Sequence, residues 1–235
     1  MKQTYAILPA LFFGVLACTA TCFAGELSEE MKKDGWVAIF DGHSLDGWKS
    51  NEGPDGFDVI DGCIVGKGGR NHLYFMDELQ NFELKIDCKI NKNGNSGVYV
   101  KSQWQEKSWP VTGFELQVNS SHSDPVKTGS LYNIIKILKA PHNDDEWFTY
   151  HLICKGNTLE VRVNDQTLYI YVDPSKNEEL RVPPSSVGIE YAALKIITEQ
   201  NKCISQKGYI ALQQHDPGSK PEFKNIFIKK LTSPR

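Results

Sequence analysis

An excess of positive charge is what this chain most clearly lacks: 26 Lys and Arg stand against 29 Asp and Glu, for a formal net charge of -3. With no basic face to neutralise phosphates, the composition argues against a nucleic-acid partner. Long helical periodicity is nearly absent, which leaves strands to make the fold. No C-x-x-C pair and no Cys/His spacing suggests a structural zinc site. Neither an internal repeat nor a low-complexity linker interrupts the 235 residues, and one large all-β domain accounts for the length.

Long hydrophobic runs are scarce as well. Lys2 is followed by an apolar run from Ala6 to Ala17 and a small-residue zone ending Cys22-Phe23-Ala24. This is the charged start, apolar middle and small-residue cut site of a secretory leader, and it is too short to span a bilayer comfortably. Cleavage after Ala24 would release a soluble protein. Val15-Leu16-Ala17-Cys18 resembles a bacterial lipobox, and cleavage before Cys18 would leave a lipid-anchored one. Either route exports the chain, to the periplasm or to the cell envelope, and the membrane is met only through that anchor. Cys63, Cys88, Cys154 and Cys203 remain after processing. They allow three pairings, but Cys88 and Cys154 fall on the apolar phase of their segments and read as small core residues.

What is present is alternation. Phe82, Leu84, Ile86, Cys88 and Ile90 interleave with Glu83, Lys85, Asp87 and Lys89, the pattern of a half-buried strand. Turn residues Asn91 to Gly94 close it, and Ser96 to Lys101 runs back. Leu159, Val161 and Val163 lead through Asn164-Asp165 into Leu168, Ile170 and Val172, which reads as a tight hairpin. Gly208 to Gln214 and Phe223 to Lys230 are the last strands, with weaker candidates over Leu131 to Leu138 and Trp147 to Cys154. A short helix is expected around Ser28 to Lys33, and Glu190 to Thr198 is helical turn or strand. Pro183-Pro184 to Lys207 reads as a long excursion of the kind that borders binding sites. Short strands separated by turns make an antiparallel sandwich or barrel.

The most informative strand is Gly113 to Asn119. Period-2 alternation sends Phe114, Leu116 and Val118 to one face and Glu115, Gln117 and Asn119 to the other. A carboxylate and two amides in a row suit a groove for a polyhydroxylated ligand. On the returning strand Tyr99 and Lys101 share that phase, with Asn95 at its mouth, and on Gly208 to His215 so do Tyr209, Gln213 and His215. If these strands are neighbours, one patch gathers a general base, an electrostatic stabiliser and hydroxyl-binding groups. Singly, each has a plainer reading: Lys101 as a solvated charge, His215 as a loop hydrogen-bonder. Retaining glucanases with E-x-D-x-x-E on such a strand need two carboxylates about 5 Å apart. Here Gln117 and Ser120 replace the second and third acids, so double displacement from this strand is disfavoured.

Read together, the segments Trp36-Val37-Ala38-Ile39-Phe40-Asp41-Gly42, Leu45-Asp46-Gly47-Trp48, Asn95 to Val100, Gly113 to Gln117, Thr128-Gly129-Ser130-Leu131-Tyr132, Glu146-Trp147, the Val163-Asn164 hairpin, Leu212-Gln213-Gln214-His215 and Phe223 to Ile226 resemble the 3-keto-disaccharide hydrolase family, also described as a 3-keto-glucoside 1,2-lyase/hydratase domain. The resemblance covers roughly Gly35 to Leu231. Behind a leader over 1–24 and a lead-in over 25–34, it implies over 35–231 a concanavalin-like jelly-roll β-sandwich with a concave carbohydrate-binding face. Lys101 and Lys224 stand where the family often has Arg, and Asn119 where it often has Asp. Lys keeps the charge without the bidentate fork.

The implied chemistry starts from a ketone at C3 of a glucoside, which acidifies the hydrogen on C2. A base removes that proton, the enolate expels the C1 aglycone, and water adds back to give net hydrolysis. In that chemistry His215 or Glu115 is expected to be the base and Lys101 the enolate stabiliser. Asn95, Tyr99, Gln117, Asn119, Tyr132, Gln213 and Trp104 would hold the sugar. Glu115 and His215 could instead hold a divalent cation as Lewis acid. The alternative from another class is a non-catalytic carbohydrate-binding module, in which Trp104 and Trp109 stack on sugar rings.

Overall fold

The computed structural model describes residues 26–172, 189–191 and 206–232. The leader with Cys18, Cys203 and most of the excursion from Pro183 to Lys207 lie outside the described residues. The lead-in holds helix α1 (Glu29–Lys33), whose N-terminal N–H groups are met by the Ser28 hydroxyl accepting from the Met31 amide at 3.1 Å.

Strands follow in chain order: β1 (Trp36–Ala38), β2 (Trp48–Ser50), β3 (Phe57–Ile60), β4 (Cys63–Gly66), β5 (Asn71–Leu79), β6 (Phe82–Lys89), β7 (Ser96–Ser102), β8 (Phe114–Val118), β9 (Ile135–Ile137), β10 (Phe148–Lys155), β11 (Thr158–Val163), β12 (Gln166–Val172), β13 (Ile189–Tyr191), β14 (Gly208–Gln214) and β15 (Glu222–Lys230). The larger sheet runs β12-β11-β10-β6-β15-β4-β3, with β1 also on β15, and the smaller runs β2-β5-β14-β7-β8. Neighbouring strands in both sheets pair antiparallel. The molecule is a concanavalin-like jelly-roll sandwich.

The alternation of β6 does what its sequence dictates: Phe82, Leu84, Ile86 and Cys88 are buried between the sheets, where they meet Leu152 and Cys154 of β10 and Phe223 of β15 in one core. Cys88 and Cys154 are core thiols, not disulfides. The β11–β12 hairpin turns through Asn164 and Asp165, both at positive φ (48° and 62°), the mirror-image turn that matches strand twist. Within Leu131 to Leu138, Ile135–Ile137 is extended and paired to β13, Leu131 bridges Leu116 and Ile135, and a turn lies between. Glu190 therefore lies on a strand; the residues after Tyr191 are outside the described set.

The smaller sheet positions the site. Its inner face gives Leu73, Val98, Val100, Leu116, Ile210 and Leu212 to the core. Its outer face carries an in-register row across all five strands: Lys49 pairs with Tyr74, Tyr74 with Ala211, Ala211 with Tyr99, and Tyr99 with Glu115. The adjacent positions pair His72 with Gln213 and Gly97 with Gln117.

Candidate active site

β14, β7 and β8 are sequential neighbours in the sheet, so the polar phases of the three strands form one surface. A cleft of about 760 Å³ opens over it, lined by Asn95, Tyr99, Glu115, Gln117, Tyr132, Gln213 and His215, with Trp109 to Thr112 on one wall and Asp124 and Asn133 on the other. That volume is in the range of sites for small ligands, about 300–1,000 Å³.

Glu115 is the centre of the floor. Its Oε2 accepts from the Tyr99 hydroxyl at 2.7 Å and its Oε1 from the Gln213 amide at 3.0 Å. The carboxylate can lie flat across β7 because residue 97 is glycine: a Cβ there would stand 2.6 Å from Oε1. Burial, then the Glu115 charge and the bond to it, push the Tyr99 phenol well above its usual range, so Tyr99 is a neutral donor. The Gln117 amide donates to Asn95 Oδ1. The side-chain oxygens Oε1 of Gln117 and Gln213 are buried with no partner among the described residues. Two orphan acceptors beside a carboxylate call for a ligand that brings hydroxyl donors.

His215 stands at the rim, its ring 5.0 Å from that of Trp109. Its Nδ1 donates to Asp216 Oδ2 at 2.8 Å, and the Ser219 hydroxyl donates to the same oxygen at 2.9 Å. Burial works against the Asp216 charge, but the bonds from His215, Ser219 and the Gly218 amide outweigh it and leave the carboxyl below its ordinary value. This pair fixes the imidazole tautomer and leaves Nε2 without a partner among the described residues. Tyr132, half-buried opposite, has its phenol raised by burial and then by the charges of Glu115 and Asp124.

Three expected residues are not at this cleft. Lys101 is the main correction. A bulge interrupts the β7–β14 register between the Tyr99–Ala211 and Tyr209–Ser102 pairs, and Lys101 takes φ 62° there. Its side chain consequently turns away from the Glu115 face: Nζ donates to the carbonyl of Gln80 and lies 5.1 Å from the Phe82 ring centroid. The bulge needs Gly208, where a Cβ would meet the Lys101 backbone at 2.5 Å. Asn119, although in phase with Glu115, spends its amide on its own loop, donating to Val126 at 2.8 Å and accepting from the His122 amide at 2.9 Å. Trp104 lies on the same outer face but stacks edge-on against Tyr74, ring centres 5.1 Å apart. Lys224 belongs to the larger sheet, over Trp147 at 4.2 Å. The departures at Lys101, Asn119 and Lys224 thus leave the cleft lining untouched.

A sequence reading misses Asp216, Asp124, Asn133 and His72. His72 had a signal, since Leu73 and Phe75 alternate with His72 and Tyr74; Asp216 had none, because adjacency to His215 says nothing about side-chain direction. Among the described residues no group of three His, Cys, Asp or Glu is disposed to hold an ion.

The model of the 3-keto-alpha-glucoside-1,2-lyase-like domain matches residues 35–229. The chain belongs to that family. It is 27% identical over 236 aligned positions to the 3-keto-disaccharide hydrolase of Bacteroides thetaiotaomicron, covering 84% of this chain and 79% of that one. A candidate glycosyl hydrolase of Parabacteroides distasonis superposes with a TM-score of 0.71 at 28% identity, over 89% of this chain and all (100%) of the other. A Bacillus subtilis protein with a galectin-like fold superposes at a TM-score of 0.51 and 9% identity, over 81% and 92% of the two chains, and shares the fold alone. Membership of the family makes the chain a carbohydrate-active protein of glycosidase type.

Proposed function

We propose that the protein cleaves 3-keto-glycosides by β-elimination, with rehydration giving net hydrolysis. The observation that carries this reading is the Asp216–His215 pair at the rim of a cleft floored by Glu115, Tyr99 and Gln213. Both Glu115 oxygens already accept hydrogen bonds, whereas His215 offers an unpartnered Nε2 in a fixed tautomer. His215 is therefore the base that takes the C2 proton. The C2–H electrons form the enolate; its collapse restores the C3 ketone, forms the C1=C2 bond and breaks the C1–O bond to the aglycone. The imidazolium returns the proton to the departing oxygen, and water adds at C1 with a proton to C2.

With Lys101 turned away, the cleft lining contains no Lys or Arg among the described residues. The developing charge on the C3 oxygen is met by neutral donors, foremost the Tyr132 hydroxyl, and by the imidazolium itself. Glu115, Gln117 and Gln213 accept from sugar hydroxyls, and Asn95 holds Gln117 in place. A divalent cation on Glu115 and His215 would be the rival electrophile, and loss of release in EDTA would favour it. The relative's name, 3-keto-disaccharide hydrolase, supports the keto-sugar substrate. The protein acts outside the cytoplasm in this reading, and the mass of its mature N terminus distinguishes processing after Ala24 from lipidation at Cys18.

The test is release of a chromogenic aglycone from a 3-keto-glucoside, from its unoxidised parent, and from the keto sugar deuterated at C2. Release from the keto sugar alone, slowed by C2 deuterium and insensitive to EDTA, supports the proposal. Release from the parent, or release from the keto sugar with no isotope effect, favours direct hydrolysis. No release from either anomer favours a binding module.

A further inference from the structure

The outer face of β5 carries a side chain that the cleft leaves unused. His72 is wholly buried (0% exposed), and neither of its ring nitrogens has a hydrogen-bond partner among the described residues. A neutral imidazole always presents one N–H donor and one lone pair, so both of its needs go unmet. Buried polar groups are paired in the great majority of cases, and an exception marks a group whose partner comes from elsewhere. What seals His72 is the ring of Trp109, edge-on at 5.5 Å, with Tyr99 on the other side at 5.4 Å. Tyr74, the next outward position, is covered in the same way by Trp104, over which the Lys49 ammonium sits at 4.2 Å.

Both tryptophans belong to the connection from Gln103 to Thr112, which is braced as a unit. The Gln105 side chain donates to the Trp109 carbonyl at 2.8 Å and accepts from the Val111 amide at 3.2 Å. Thr112 closes its base, accepting from the Gln103 amide at 2.8 Å and the Ser102 hydroxyl at 2.9 Å. The tip is latched to the body through Ser108, whose amide donates to Glu52 at 2.7 Å and whose carbonyl accepts from Asn51 at 3.1 Å. Arg70 holds the same Glu52 oxygen, Oε1, at 2.8 Å. His72 lies directly opposite Gln213 in register, so the sealed strip begins where the cleft floor ends.

We propose that this connection is a flap over a second carbohydrate subsite on β5, where a hydroxyl of the ring on the leaving-group side bonds to His72. The inference rests on the 3-keto-glycoside reading and adds where the second ring goes. Burial lowers His72 to about 3, so its imidazole is neutral and offers a hydroxyl both a donor and an acceptor. Trp109, 37% exposed at the lip, moves from a cover on His72 to a wall beside the second ring.

Two arms test it. His72→Phe keeps a ring between Tyr99 and Trp109; kcat/KM for 3-keto-maltose, relative to methyl 3-keto-α-glucoside, is expected to fall about tenfold, through KM. An equal change on both substrates, or no change, overturns the subsite. The second arm needs no turnover. Glu52→Gln loosens the latch, and labelling of His72 by diethyl pyrocarbonate, read by peptide mass, is expected to rise about tenfold over wild type and to be suppressed by unoxidised maltose. Labelling that ignores the substitution or the sugar overturns the flap. If wild type turns over neither keto sugar while the labelling arm behaves as expected, the elimination chemistry fails and the subsite is supported.

Discussion

Tyr99 and Glu115 face each other in register across β7 and β8, and the Tyr99 hydroxyl donates to the Glu115 carboxylate at 2.7 Å. A phenol kept neutral by burial thus holds a carboxylate flat against the floor of a cleft. That geometry exists only because Gly97, one pair along, leaves the space empty.

Gly97→Ala is therefore expected to act on the site rather than on the fold. Its Cβ would stand 2.6 Å from Glu115 Oε1 and lift the carboxylate off Gln213. The lost hydrogen bonds cost about 1–3 kcal/mol. Affinity for the keto sugar, read by calorimetry, should fall while the circular dichroism of the sheet persists; unchanged affinity would show that Glu115 does not touch substrate.

His215→Ala removes the proposed base, and kcat on a 3-keto-glucoside should drop by about 10²–10⁴-fold. Asp216→Asn leaves the ring but loses the carboxylate that fixes its tautomer, so kcat should fall with KM within about twofold of wild type. A D216N enzyme with wild-type kcat would mean that the pair only shapes the loop.

Lys101→Met separates the expected electrophile from the observed one. The ammonium sits on the Gln80 carbonyl and the Phe82 ring, not in the cleft. Thermal unfolding should shift to lower temperature while kcat stays close to wild type. A large loss of kcat in a well-folded variant would return Lys101 to the chemistry.

Acid sensitivity follows from His72. Its folded pKa is about 3 against 6.5 for the free side chain, because burial disfavours the charged ring. The unfolded chain binds the extra proton first, so this contribution is present above pH 6.5 and is lost as pH falls toward 3. Burial lowers His142 and His151 too, with the same sign. Denaturant titrations from pH 7 to pH 4 should show stability falling by several kcal/mol, and His72→Phe should flatten the slope. An unaltered slope would mean that His72 is not held neutral by the fold.

Much of this protein is written in period-2 alternation. Phe82 to Ile90, Gly113 to Asn119 and Gly208 to Gln214 each declare a buried and a polar face, because a strand sends successive side chains to opposite sides whatever surrounds it. Asn164-Asp165 declares its hairpin through residues that tolerate positive φ. From these alone an all-β sandwich or barrel follows, and so does the phase shared by Glu115, Gln117, Tyr99 and Gln213. Strands as short as Trp36–Ala38 and Trp48–Ser50 offer too few residues for a period to show.

Tertiary structure alone decided the rest. Strand order is a long-range fact: β14 lies between β5 and β7, residues more than a hundred positions away in sequence, and this order brings His215 to Glu115. A single bulge at Lys101 inverted the side chain that alternation had placed in the site, since one extra residue flips a strand's phase. Asn119 kept its phase but found closer partners in its own loop. Alternation determines which side of a sheet a residue can face; which neighbours it meets there is set by how distant strands pair and what the loops fold back to cover.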